Sequence, residues 1–415
     1  MTEPYGQAES RAYRPAWLKW TPFLGRPPAL TRRQWQVLGL VGAASFFELY
    51  DLFLFSLSLK QIQQELGIPE DQLGRLGALV RFGALPAFVI TLLADRVGRR
   101  RVLLVTILAY TLLTGATAFA PDARTFVILQ FFARTFAVAE ALLAVVVIVE
   151  EFDPSVRGWG IGALGAIQAA GVAALLFTQV DLLPFGWRSL YFIGFGPLLI
   201  LAYWRRALPE TDRFTAHAES RSRQTSVLRP FVDLARMYPG RFVALAAVVF
   251  LLELAESPAG FFGPKYLQDV HGWAPASIGL LTFFGGALAV MGNTVAGRWS
   301  DQWGRRRVTM IFIAGQIAFT IAYYNLFGWA LMPLWIVMVF MIMGANVTLK
   351  AYGAEMFPTS YRSTAVGMRV VIGTLGGSFG LLLESELYST MGSHWGAISL
   401  LAAAALVCPL IVAGC

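Results

Sequence analysis

Charged residues are scarce in this sequence, and cysteine and histidine are nearly absent. Only 14% of the 415 residues are charged, whereas soluble domains average about 25%, and 57% are hydrophobic. A soluble protein of this size would need more polar surface. Two cysteines and three scattered histidines provide neither a disulfide framework nor a zinc site, and no glycine-rich phosphate loop is present. We therefore expect no metal, no cofactor and no enzymatic activity.

Apolar runs occupy most of the chain. Stretches of ~20 hydrophobic residues are long enough to cross ~30 Å of hydrocarbon, and their number predicts an all-α integral membrane protein. The N-terminus carries acids and has no apolar core next to its start, so it lacks the pattern of a signal peptide. Twelve spans are predicted, at about 35–59, 73–94, 102–120, 125–149, 158–180, 188–204, 242–264, 276–297, 308–327, 332–354, 363–387 and 395–414.

Basic residues are unevenly distributed between the loops. The formal net charge is +8, and with a cytoplasmic N-terminus most arginines fall on the inner side. The outer loops then contain only Lys60, Arg75, Arg124, Arg188 and Lys265. By the positive-inside rule, this asymmetry predicts a multi-pass protein of the cell inner membrane with both termini cytoplasmic. It also explains the basic charge without a nucleic-acid partner.

Several motifs occur twice at a nearly constant offset. DRVGRRRV at 95–102 returns as DQWGRRRV at 301–308, and ELYD at 48–51 corresponds to ELAE at 253–256. EFDPSVR at 151–157 corresponds to EMFPTSYR at 355–362. Such repeats are typical of secondary transporters with two bundles around a central site. We predict a cytoplasmic tail over 1–34, six-helix bundles over 35–204 and 242–415, and a cytoplasmic linker over 205–241.

The duplicated D-R-x-G-R-R motif resembles the signature of the major facilitator superfamily, and this resemblance implies the fold of that superfamily. FELYDLFLF at 47–55 is similar to an element of the metabolite:proton symporters, while EFDPSVRG and LPETDRF resemble motifs of the sugar-porter and organic-ion branches. Span five lacks the Gly-Pro motif of drug antiporters, and span seven lacks the Gln-Gln element of sugar porters. The resemblance therefore favours a metabolite over a drug or a sugar.

The resemblance also implies a cytoplasmic gate at the repeated motifs. In the family, such contacts hold the two halves together in the outward-facing state and break when the inner side opens. The family's glycine four residues before the aspartate is kept at Gly297 but replaced by Thr91 in the first copy. The candidate gate residues are Asp95, Arg96, Gly98, Arg99, Glu151, Arg157, Asp301, Gly304, Arg305, Glu355 and Arg362.

Ionisable residues inside the predicted spans are the candidate site. A charge near the bilayer centre is costly, so its default interpretation is functional. Two carboxylates three residues apart share one helix face and cannot easily both ionise, a property that suits a proton carrier. The candidate proton-coupling residues are Glu48, Asp51, Glu140, Glu253 and Glu256. The candidate substrate-binding residues are Arg81, Arg134, Arg369, Tyr50, Gln168, Asn293 and Asn346.

Static ion pairs are the alternative to these roles, and Arg81 in particular fits a bridge to an acid of a neighbouring span. Glu384 and Glu386, at the outer end of span eleven, are expected to be solvated. The leading hypothesis is a monomeric, proton-coupled symporter of a small, carboxylate-bearing solute that works by alternating access in the lipid bilayer. Alternatives are a uniporter or exporter of organic ions or sugars and, with less support, a non-transporting membrane sensor.

Overall fold

The computed structural model describes residues 15, 16, 18, 27–174, 185–207, 229–358 and 361–414, and within these residues it is helical without β-strands. This agrees with the all-α prediction. The first half contains α1 Arg32–Leu57, α2 Leu59–Leu66, α3 Leu73–Phe82, α4 Ala84–Val97, α5 Arg99–Thr117, α6 Ala123–Glu151, α7 Pro154–Ala174 and α8 Trp187–Trp204.

The second half follows the segment 208–228, which contains the LPETDRF motif and lies outside the described residues. Its helices are α9 Arg229–Met237, α10 Pro239–Asp269, α11 Pro275–Leu280, α12 Gly286–Ala289, α13 Met291–Trp303, α14 Arg305–Asn325, α15 Leu331–Glu355, α16 Arg362–Met391, α17 His394–Ala404 and α18 Val407–Gly414.

Ten stretches of the described chain are long and apolar enough to cross a membrane. Helices α7 and α8 lie at the positions of the predicted spans five and six, consistent with a total of twelve. Large apolar side chains cover the outside of the bundle, for example Val89, Phe119 and Leu410, which are 68%, 71% and 71% exposed. Such a surface suits contact with lipid acyl chains rather than water.

Local sequence sets several helix boundaries. Thr31 and Gln34 form a reciprocal capping box at the start of α1. Asp122 caps α6. Its exposed carboxylate accepts a hydrogen bond from the backbone N–H of Thr125, and this bond lowers the pKa of the carboxyl group. The glycines of the repeated motif, Gly98 and Gly304, directly precede α5 and α14. Their φ angles are 113° and 92°, and residues with a Cβ atom rarely adopt this backbone conformation.

The same close packing of helices occurs within each half. A Cβ added to Gly83 would lie 2.3 Å from the carbonyl oxygen of Phe131, and one added to Gly292 would lie 2.3 Å from that of Phe340. These glycines let span two approach span four, and span eight approach span ten, at the same relative positions in the two halves. The structure therefore repeats the packing that the duplicated motifs indicate.

The halves contact each other mainly through α3 with α16 and α1 with α10. We call the two ends of the bundle the arginine face, defined by Arg33, Gly98, Gly304 and Glu355, and the histidine face, defined by Glu70, Lys265 and His394. One hydrophobic cluster at the histidine face contains side chains of both halves, including Phe55, Phe126, Phe262 and Tyr266. The clusters toward the arginine face each belong to one half.

Candidate functional site

Helix α1 places the first pair of acids in the second half of its length. The buried Glu48 carboxylate accepts hydrogen bonds from Arg134 on α6 and Gln168 on α7, each at 2.8 Å. Asp51 follows one turn later at 9% exposure, and in the described residues its Oδ1 atom has no hydrogen-bond partner. Glu48 therefore has two fixed donors, whereas Asp51 keeps an oxygen available.

The second pair of acids lies on α10 and is held differently. Glu253 Oε2 accepts from Arg81 Nη2 of α3 at 2.7 Å, which joins the two halves of the molecule. Glu256 Oε2 accepts from Gln316 on α14 at 2.9 Å. A Cβ at Gly377 would lie 2.3 Å from Arg81 Nε, so this glycine makes room for the bridging arginine. Arg81 thus forms an ion pair with an acid of another span, which is the alternative that the sequence offers to a substrate-binding role.

Arg369 on α16 has a neutral partner. Its guanidinium donates to the side-chain and backbone oxygens of Asn346 on α15. Glu253 and Glu256 are near enough to act on it electrostatically, but within the described residues it makes no salt bridge. Arg81 and Arg134, by contrast, each contact a carboxylate directly. Arg369 is therefore placed to bind a further anion.

The two acid pairs have corresponding neighbours that the sequence analysis missed. Tyr110 and Gln316 occupy matching positions in spans three and nine, separated by the same offset as the repeated octapeptides. Tyr110 donates to the backbone oxygen of Phe47 beside the first pair, and Gln316 donates to Glu256. A polar residue inside the apolar run IFIAGQIAF was the available signal for Gln316. The arginines have no such counterparts, so the site is only partly symmetric.

Three predicted residues lie apart from these clusters. Tyr50 is buried, and its hydroxyl donates to the backbone oxygen of Leu190 at 3.0 Å. Asn293 is half-buried on α13. Glu140 forms an ion pair with Arg205 and accepts from Thr106 at 2.7 Å, with both ionic side chains at most 1% exposed. By sequence position, Arg205 falls in the predicted linker.

The first copy of the repeated motif lies at the arginine face, where the side chains of Asp95 and Arg96 are outside the described part of the structure. Arg99 pairs with Glu150 at 2.8 Å. The neighbouring Glu151, which the sequence favoured, instead accepts two hydrogen bonds from Arg33 at 2.8 Å each. Arg157 donates to the backbone oxygen of Phe152 at 3.4 Å.

The second copy has the same arrangement. Arg305 contacts both Asp301 and Glu355 at 2.9 Å, and Arg362 is exposed. Arg99 with Glu150 and Arg305 with Glu355 are therefore equivalent pairs, each joining the third and fourth spans of one half. Among the described residues of this face, the ion pairs formed by the motifs stay within one half.

At the histidine face, polar contacts run between the halves. Ser56 donates to the backbone oxygen of Phe261 at 2.9 Å, and Lys60 pairs with Asp269 at 2.8 Å. Further links join Gln61 to Gln268, Arg75 to Glu386, and Glu70 to both Lys265 and His394. Glu386 is solvated as expected, but the expectation for Glu384 is wrong. Glu384 is fully buried because His394 packs against it.

Two helical bundles with buried charges at their centre define this chain as a membrane transporter. It belongs to the Major Facilitator Superfamily, whose family model matches residues 41–381. A Bacillus subtilis protein provisionally named a niacin/nicotinamide transporter is 27% identical over 88% of this chain and 90% of its own length. The benzoate transport protein of Acinetobacter baylyi is 22% identical over 88% of this chain and 86% of its own.

Solved structures share the fold. The crystal structure of a bacterial homologue of the human lysosomal transporter Spinster superposes with a TM-score of 0.73 at 15% identity, over 92% of this chain and 95% of that one. The predicted family and fold class are therefore confirmed. The relatives are membrane transporters of small molecules and not enzymes, as expected for this chain.

Proposed function

We propose that this protein is a proton-coupled symporter of small organic acids that works by alternating access. The observation that carries the proposal is Arg369, a half-buried guanidinium within span eleven that donates to the neutral Asn346. A substrate carboxylate would give this guanidinium a direct anionic partner through charge-assisted hydrogen bonds. The benzoate transport protein of Acinetobacter baylyi, whose name specifies a carboxylate, supports this substrate class.

Asp51 and Glu256 are the proposed proton carriers. Each is the second acid of its pair. Among the described residues, neither acid accepts a hydrogen bond from a charged side chain, whereas Glu48 and Glu253 each contact an arginine. In a low-dielectric site, an acid that no cation contacts directly is easier to protonate than one in a direct ion pair. Protonation would remove a buried negative charge, so the loaded carrier could reorient at lower cost.

The conformation supports alternating access. Hydrogen bonds join the halves at the histidine face, while the repeated motifs at the arginine face form ion pairs within one half. In the orientation proposed from the loop charges, the histidine face is extracellular and the arginine face cytoplasmic. The structure then corresponds to a carrier closed to the outside.

Uptake into liposomes tests the function. Benzoate, nicotinate, a zwitterionic amino acid and a sugar should be compared with and without an inward proton gradient. We expect an organic acid to accumulate at least severalfold more with the gradient than without it. Liposomes without protein are the control, because protonated weak acids cross lipid unaided. Transport of the sugar alone, unaffected by pH, would contradict both the substrate class and the coupling.

Arg369→Gln tests the carboxylate site. We expect the purified variant to bind benzoate about 10- to 100-fold more weakly, since a hydrogen bond to a charged group contributes roughly 1.5–3 kcal/mol. Binding of the uncharged benzamide should change little. Calorimetry measures both affinities, and Arg75→Gln, at an exposed ion pair of the histidine face, is the matched control. Equal losses for acid and amide would argue against a role for Arg369 in charge recognition.

A further inference from the structure

Three ionisable side chains meet at the histidine face, and they come from both halves. Glu70 lies just before α3, Glu384 is on α16, and His394 is the first residue of α17. His394 Nδ1 is 2.5 Å from Glu384 Oε1, and its Nε2 is 3.0 Å from Glu70 Oε2. The imidazole therefore joins a carboxylate of its own half to a carboxylate of the other half.

Aromatic packing fixes this imidazole and shields it. His394 is 5% exposed and Glu384 is fully buried. The ring stacks on Phe262 at 4.5 Å and on Tyr388 at 4.0 Å between ring centroids, with interplanar angles of 23° and 19°. Both faces of the ring are thus covered, and its two nitrogens are directed at the two carboxylates.

The geometry determines a proton count. Each of the two N···O contacts needs one hydrogen, but a neutral imidazole supplies only one. The closed cluster must therefore contain one proton more than a neutral imidazole with two carboxylates, either on the ring or on a carboxyl group. When the halves separate at this face, Glu70 leaves, and only the contact with Glu384 needs a hydrogen. The extra proton is then free to leave.

We propose that Glu70, His394 and Glu384 form a proton-binding site that is complete only while the histidine face is closed. Closing this face takes up a proton, and opening it releases one. Acid on this side, the outside in the proposed orientation, favours the closed state. This site is separate from the acids on α1 and α10 and does not depend on the identity of the substrate. Within the described residues, no group of three or more His, Cys, Asp or Glu side chains is arranged to hold a metal ion, so a proton is the ligand that fits.

Other ionisable groups surround the cluster. Asp71 is the sequence neighbour of Glu70. The others are Lys265, Tyr266 and Asp269 on α10, Tyr324 on α14, and Tyr388 on α16. Lys265 is 3.2 Å from Glu70 and 2.6 Å from Asp269. Lys265 thus adds a contact between the two halves that does not involve the imidazole.

Distance measurements between spin labels test the proposal. Labels at Gln64→Cys and Thr390→Cys report on opposite halves from exposed positions, in a protein with Cys408→Ala and Cys415→Ala. In nanodiscs between pH 5 and 9, we expect the ratio of open to closed distances to rise with pH, by at most about tenfold per pH unit for one linked proton. His394→Gln should reduce this change to less than about twofold over the whole range.

Matched variants make the outcome decisive. His271→Gln is the control at another histidine of the second half. His271 packs on Tyr266 and Phe327, and burial lowers its pKa. This variant should retain the wild-type response. Lys265→Met should open the face at every pH and keep the slope. Glu70→Gln leaves the ring unaltered and offers an amide N–H that can donate to the unprotonated imidazole nitrogen, so the contact no longer needs an extra proton. This variant should flatten the response, even if His394→Gln fails to fold. An unchanged pH response in His394→Gln or Glu70→Gln, or none in the wild type, would overturn the proposal. No substrate is present, so the result is independent of the proposed transport activity.

Discussion

At the residue scale, the partners of the buried charges distinguish fixed ion pairs from exchangeable groups. Glu140 and Arg205 are almost inaccessible and contact each other within one half. Removing either would leave an uncompensated charge, which costs roughly 3–5 kcal/mol for buried pairs. The proton-coupling role of Glu140 stays a prediction, whereas its contact with Arg205 is by itself a reason why stability requires both charges. Asp51, by contrast, has an oxygen without a described partner.

Asp51→Asn tests proton coupling at this residue. The amide has nearly the same shape but cannot exchange a proton, so we expect gradient-driven accumulation to fall at least tenfold. Exchange of labelled for unlabelled substrate at equal pH should stay within about threefold of the wild type, because it needs no net proton movement. Liposome uptake and counterflow measure the two quantities. Glu65→Gln, at an exposed ion pair with Arg188, is the control. Accumulation that persists in Asp51→Asn would favour the uniporter or exporter alternative.

At the scale of helices, small residues set how closely the spans approach each other. Helix α7 lies against α1, and a Cβ added to Gly171 would be 2.1 Å from the backbone oxygen of Phe46. The same pair of helices holds the hydrogen bond from Gln168 to Glu48. A wider separation of the helices would therefore disturb the candidate site and the packing together.

Gly171→Ala should thus impair both stability and transport. Overpacking of this kind costs about 1–3 kcal/mol, and we expect uptake to fall by about tenfold as Gln168 moves away from Glu48. Gly165→Ala, on the same helix, is the matched control, since no described atom lies within 4 Å of the added Cβ. Thermal unfolding and liposome uptake measure the two effects. Equal behaviour of the two alanine variants would refute the close contact of α7 with α1.

At the scale of the whole molecule, the sequence predicts the architecture better than the pairing of charges. Apolar run length and the repeated motifs are local properties, so they locate the spans and indicate two similar halves. Partner choice is not local. Arg81 reaches Glu253 in the other half, and Glu384 is buried because Glu70 and His394 approach it from elsewhere. Arg205 is assigned to a polar linker by position, yet the fold places it inside the first half.

Alternating access requires the halves to separate at the histidine face during each cycle. Gln61 and Gln268, whose side chains meet at 2.9 Å across the two halves, are suitable positions for a covalent link. In a protein with Cys408→Ala and Cys415→Ala, a short bismaleimide between Gln61→Cys and Gln268→Cys should reduce counterflow at least tenfold. The link prevents the opening that admits substrate from that side.

The control is a link that stays within one half. Asn325 and Ser399 are also hydrogen-bonded at 2.8 Å, but both belong to the second half. Cross-linking Asn325→Cys to Ser399→Cys should leave counterflow within about twofold of the untreated protein, because a bundle that moves as a unit keeps this distance constant. Full activity of the Gln61–Gln268 cross-linked protein would show that substrate moves without separation of the halves at this face. Loss of activity in both cross-linked proteins would mean that the second bundle itself deforms during transport.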